Sequence, residues 1–229
     1  MKRSTTTTVL HLAILLIFSL AAMAANKNQI SVSKDGRETR ASKPAAQFTP
    51  LRTDPFSGLT VLYDNGSKYA LGVYWCCNGW TISGTGSQLG YQAAEAMPFT
   101  PAVNATVTRI GVALGYIAGD NEVAVSLNAD SGGLPGASLG SFTLSNLPSL
   151  GECCATEVEN ITGVAVTAGT QYWIVAQTTT PSDTTWAAWN ENDTNQTTQP
   201  FAYQNSQQGS GWFPTEGILG GFGVAGTAQ

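Results

Sequence analysis

The chain has 229 residues, a formal net charge of −5 and a single histidine, His11, set in an apolar N-terminal run. From Ser57 onward only Lys68 and Arg109 are basic, against twelve acidic residues, so this part lacks the basic footprint that nucleic acid binding requires. With His11 removed by processing, Ser-His-Asp and Cys-His relays and His-ligated zinc or copper sites are excluded too.

Residues 1–24 read as a signal peptide. Lys2 and Arg3 form a basic start, an apolar run extends from Val9 to Ala22, and Ala22-Met23-Ala24 offers small residues for cleavage before Ala25. The run is short for a spanning helix, which needs about 20 apolar residues, although a retained anchor is the alternative. The expected location is secreted or extracellular, or periplasmic, with no transmembrane segment after cleavage. Residues 25–56 carry six basic and three acidic residues with few large apolar side chains, the composition of a flexible charged leader or linker. Residues 57–229 suffice for one core and are too few for two.

The elements of that domain are predicted as strands. Leu59–Tyr63 is the first, closed by Asp64-Asn65-Gly66; Leu71–Trp75 and Trp80–Ile82 supply two more. Gln92–Ala96 is the one stretch with the look of a helical turn. Val103, Ala105 and Val107 share one parity while Ile110, Val112, Leu114 and Tyr116 share the other, so the slip at Thr108-Arg109 predicts a bulge or bend. Val123, Val125 and Leu127 alternate with small polar residues, and the loop Asp130–Gly136 returns the chain toward a strand marked by Phe142 and Leu144. Val158–Val166, Tyr172–Gln177, Trp186–Trp189 and segments near Phe201–Tyr203 and Phe222–Val224 complete about nine or ten strands, the pattern of an all-β antiparallel sandwich or barrel.

The segments FTP…RIGVAL…VAVSLNADSGGLPGASL…VTAGTQYWIVAQ…WAAWN resemble the bacterial choice-of-anchor type R domain, over roughly Leu62 to Trp189. The Asp130–Gly136 loop and Gly169–Trp173 carry most of the likeness. The resemblance implies an exported, jelly-roll-like β-sandwich module attached to cells by a C-terminal device, and it implies no catalytic residues. This chain shows no recognisable anchor, so attachment does not carry over.

Four cysteines form two adjacent pairs, Cys76-Cys77 and Cys153-Cys154. Export favours disulfides, and neighbouring Cα atoms about 3.8 Å apart are too close for an unstrained bridge, so bridges between the pairs are expected; a four-thiolate metal site is the alternative. No cofactor is required, but Asp120, Glu122 and Asp193 lie in acid- and amide-rich segments with the hard oxygens that Ca2+ takes, and the same residues serve as turn formers. Glu157 and Glu159 are spaced to share a strand face, with Glu95, Glu152 and Glu216 as further carboxylates for a two-carboxylate glycosidase.

The strongest functional lead is aromatic. Trp186, Trp189, Trp212 and Tyr203, with Asn190 and Asn192 between them, combine indole faces for a sugar ring with amides for its hydroxyls. The opposite parity of Trp186 and Trp189 allows only one of them on a flat platform, and both are also suited to a core. The expected function is therefore non-catalytic binding of glycan or another cell-surface component. The alternatives are a structural module of an extracellular layer and, less favoured, a His-free glycosidase.

Overall fold

In the computed structural model the chain is described over residues 30–42, 54, 56–65, 74–151, 157–192 and 197–229. These residues form antiparallel sheets without a helix, the all-β sandwich class expected. The strands are β1 (Ile30–Val32), β2 (Glu38–Ala41), β3 (Thr60–Asp64), β4 (Tyr74–Ser83), β5 (Ala93–Phe99), β6 (Ala105–Val112), β7 (Leu114–Ala118) and β8 (Glu122–Asp130). They continue as β9 (Pro135–Ser145), β10 (Glu157–Val166), β11 (Tyr172–Gln177), β12 (Trp186–Asn192), β13 (Gln199–Asn205), β14 (Phe213–Gly217) and β15 (Phe222–Ala228).

The smaller sheet runs β10-β6-β15-β3. Its pairing with the core turns on the slip predicted at Thr108-Arg109. Ala225 pairs with Arg109 and Gly226 with Val107, so Thr108 is the extra residue of a bulge in β6. The bulge resets parity: Ala105 and Val107 before it, and Ile110 and Val112 after it, are all fully buried. At Ala113 the chain leaves this sheet, and β7 joins the larger one beside β12.

The larger sheet follows β1-β2-β4-β5-β11-β8-β9, with β12 and β7 branching from β4, and β13 and β14 from β5. Val123, Val125 and Leu127 of β8, Ile174 of β11, Met97 and Phe99 of β5, and Ile82 of β4 meet the small sheet in one core. The opposite face of the large sheet carries a second cluster, Ala96, Trp173, Val175 and Ala202, flanked by Leu134 and Trp212. Because β5 is covered on both faces, alternation disappears from its sequence. That is why Gln92–Ala96, with its run of alanines, suggested a helical turn; from Ala93 onward it is a central strand. Residues 74–83 likewise form one strand where two were expected.

The leader is the largest departure. Residues 30–42 were expected to be mobile and instead fold as a β1–β2 hairpin laid on β4, with Glu38 opposite Trp80, Thr39 opposite Gly79 and Arg40 opposite Asn78. The turn is built by Ser33, whose hydroxyl accepts from the backbone N–H groups of Arg37 and Glu38, and by Gly36 at φ 74°. A side chain at Gly36 would also collide with the Tyr91 hydroxyl, 2.6 Å from an added Cβ, while that hydroxyl donates to the Gly36 carbonyl. Only glycine meets both conditions.

Candidate functional site: a fork in the large sheet

The residues expected to form a sugar platform are mostly structural. Trp189 is fully buried, its ring edge-on to Phe222 and its indole N–H donating to the Gly221 carbonyl. Trp186 lies on the other face of β12, as its parity requires, but the hairpin covers it and its N–H reaches the Thr39 hydroxyl. Asn190 and Asn192 are buried, the latter donating its amide to the Leu219 carbonyl. Only Trp212 remains half-exposed, packed against the outer apolar cluster. A platform of Trp186, Trp189, Asn190 and Asn192 therefore does not form, because the strand that carries them is central and its polar atoms hold the neighbouring β14–β15 connection.

Tyr203 belongs to a different place. Strands β4 and β5 pair only at Ser83 and Ala93. Beyond that junction β4 takes β2 as its neighbour, while β5 takes β13, with Glu95 opposite Tyr203. The sheet thus forks. The rings of Trp80 of β4 and Phe201 of β13 meet at a tilt of 49°, centres 4.7 Å apart, across the opening, and the indole N–H of Trp80 is tied to the Ile218 carbonyl. The guanidinium of Arg37, brought in by the hairpin turn, lies 4.3 Å from the Tyr203 ring centre, 5.3 Å from Trp80 and 5.8 Å from Phe201. Contacts of this kind are attractive through the ring quadrupole.

At the base of the fork is Glu95, 1% exposed. Its Oε2 and the Nε and Nη2 of Arg37 are buried without a hydrogen-bond partner, although buried polar groups in native proteins are nearly always satisfied. Among the described residues the ion pair within 4.0 Å is Arg40 with Glu38, not Arg37 with Glu95. Burial pushes the Glu95 carboxyl well above its ordinary range, and the nearby Arg37 charge offsets part of that shift. Glu95 is accordingly a carboxyl whose proton is held more firmly than usual, near a cation packed against three rings whose buried Nε and Nη2 lack an acceptor.

The mouth of the fork is a pocket of about 340 Å³ lined by Glu38, Arg40, Asn78, Trp80, Glu191 and Glu216, among others. It draws on β2, β4, β12 and β14. Burial and the neighbouring Glu38 charge raise the Glu191 carboxyl to about 7, with Arg40 acting in the opposite sense. Gly217 is the fitted piece of this wall, since an added Cβ would stand 2.6 Å from the Trp80 ring. Trp80, Glu95 and Glu216 were visible in the sequence as single residues. Arg37 was hidden in the presumed leader, and the only local signal for it was the Asp35-Gly36 turn between Ile30–Val32 and Glu38–Ala41.

The remaining sequence candidates are scattered. Asp120 and Glu122 border a separate pocket of about 420 Å³ with Asn146 and Asp183. Asp120 accepts from the Thr184 hydroxyl there, and no group of three or more acidic, cysteine or histidine side chains among the described residues is placed to hold a metal. Asp193, Glu152, Cys153 and Cys154 lie outside the described residues, as do the side chains of Glu157, Glu159 and Cys76; Cys77 is half-buried on β4. No helix among the described residues is long and apolar enough to cross a membrane. The chain matches no protein-family model, no curated protein and no solved structure.

Proposed function

We propose that the chain is an exported, non-catalytic β-sandwich module that binds glycan of a cell surface or extracellular matrix at the fork of its large sheet. One observation carries this reading: carboxylates, a guanidinium, an amide and an indole converge from four strands on a concave pocket of about 340 Å³. Ligand sites are typically pockets of about 300–1,000 Å³ with a few convergent polar groups. Carboxylate and amide oxygens accept from sugar hydroxyls, and Trp80 supplies an apolar wall. The signal-peptide pattern and the resemblance to exported anchor-type modules fit the same compartment. Compared with the sequence reading, the binding face moves from the Trp186–Asn192 strand to the fork.

The test is retention of the chain from Ala25 onward on a panel of insoluble polysaccharides and cell-wall preparations. The hairpin must be present, because it supplies Glu38 and Arg40. Retention that falls when Glu216 or Asn78 is replaced by Ala, with the circular dichroism spectrum unchanged, supports the fork. Retention that ignores both and responds to Trp212→Ala moves the site to the outer face. Retention on none of the panel removes the glycan reading.

One observation favours the structural-module alternative. The edge strand β9 is eleven residues long, has no charged side chain and leaves Leu139 41% exposed. Edge strands are normally guarded by charge or proline against pairing with other chains, and Pro135 stands only at its start. Concentration-dependent self-association that disappears on Leu139→Lys identifies this reading.

A further inference from the structure

We infer that the Arg37 edge and the Glu95 carboxyl form a deep subsite for a secondary amide, specifically the acetamido arm of an N-acetylated amino sugar whose ring occupies the pocket at the mouth. The inference rests on the glycan reading and names its ligand class. The deep pair and the mouth share Trp80. Trp80 lines the pocket and also stands against Arg37, and Glu38 at the mouth follows Arg37 in the chain.

The chemistry follows from what the pair leaves unfilled. The Nε–H and Nη2–H groups of a guanidinium point the same way and suit carbonyl or carboxylate oxygens. Both are buried here without an acceptor, and so is a carboxyl oxygen of Glu95 without a partner, on the residue opposite Tyr203, whose ring Arg37 covers. An amide answers both needs: its carbonyl accepts from Arg37 and its N–H donates to Glu95. Its methyl group then meets the rings of Trp80, Phe201 and Tyr203, which already enclose the guanidinium.

Charged groups fit less well. A carboxylate would have to pass Glu38, Glu191 and Glu216 at the mouth, and an ammonium would meet the Arg37 cation. A hydroxyl of an unsubstituted sugar satisfies the donors but leaves the aromatic walls without an apolar partner.

The test compares N,N′,N″-triacetylchitotriose with cellotriose, the same linkage without acetamido groups, by isothermal titration calorimetry on the chain from Ala25 onward. The acetylated trimer is expected to bind at least roughly tenfold more tightly, since each hydrogen bond to a charged group is worth about that much. Arg37→Met should abolish the preference and Glu95→Gln, which keeps a neutral acceptor, should retain it. In the wild-type chain the acetylated trimer should also shift the 15N resonance of Arg37 Nε, a readout independent of any variant. Equal affinities, or an unmoved Arg37 Nε signal in the presence of bound trimer, overturn the subsite while polysaccharide retention still decides the glycan reading. Failure of the acetylated trimer to bind at all overturns the subsite as well.

Discussion

Strand β12 and the fork bury the same kinds of side chain to opposite ends. In β12 the indole N–H groups of Trp186 and Trp189 and the amide of Asn192 each have an acceptor. In the fork Glu95 is equally enclosed and Arg37 half-buried, and three of their buried polar atoms have none. Tryptophan and asparagine next to one another signal a binding face only when something is left for a ligand to satisfy. Where every donor is matched internally, the same composition is a way of holding two strands and a loop together.

The sharpest way to break that contrast is Trp189→Ala. If β12 is structural, removing a fully buried indole should cost about 3–5 kcal/mol, the range for large-to-small changes of buried aromatics, read by urea denaturation. A stable variant that had lost only ligand binding would return Trp189 to the site. Next in size is the bridge expected between the Cys76-Cys77 and Cys153-Cys154 pairs. Peptide mapping under non-reducing conditions should find at least one inter-pair disulfide, and reduction should lower stability by about 2–4 kcal/mol. A map showing only free thiols would remove the bridge.

The fork makes a pH prediction with a definite sign. Glu95 and Glu191 both have folded-state values above the ordinary 4.5, Glu191 at about 7. Such a carboxyl holds its proton more firmly folded than unfolded, so stability is highest below about 4.5 and falls as pH rises through the folded value. For Glu191 the decline should level off above about 7, and Glu95 adds a decline of the same sign. Glu95→Gln removes its share, so the variant should gain on the wild type as pH rises above about 4.5. Parallel stability profiles for the two proteins would mean that burial does not raise the Glu95 carboxyl.

Much of the architecture was legible in local patterns because a strand records its burial residue by residue. The parity change at Thr108-Arg109 became the β6 bulge, and Val123–Leu127 alternates because only one face of β8 meets the core. β5 was illegible for the converse reason: with Ala96 on the outer cluster and Met97 in the core, both parities are apolar. The hairpin at residues 30–42 had a turn signal at Asp35-Gly36, but its charged composition argued for a tether. Its order comes from β4, far along the chain, and from Tyr91 closing on Gly36. The site was less legible still. Arg37, Trp80, Glu95, Tyr203 and Glu216 meet only because β4 and β5 part after a single paired position, and no spacing in the sequence records where two strands separate.

The smallest effect discriminates most finely within the fork. Arg40 is 58% exposed and paired with Glu38 at the surface, an arrangement worth about 0–1 kcal/mol, so Arg40→Ala should leave the unfolding midpoint nearly unchanged. Its consequence should appear in Glu191. Arg40 is the neighbouring cation that restrains the upward shift, and Glu38 is the neighbouring anion that drives it. Removing the cation leaves burial and Glu38 acting together, so the Glu191 carboxyl should titrate above about 7, followed by its 13Cδ chemical shift. Glu38→Gln should move it the other way, since the repelling charge is gone while Arg40 remains. Opposite displacements from two neighbours on one strand would show that the three side chains face a common pocket. If neither variant moved Glu191, the mouth would not be the shared electrostatic site from which the fork takes its ligand.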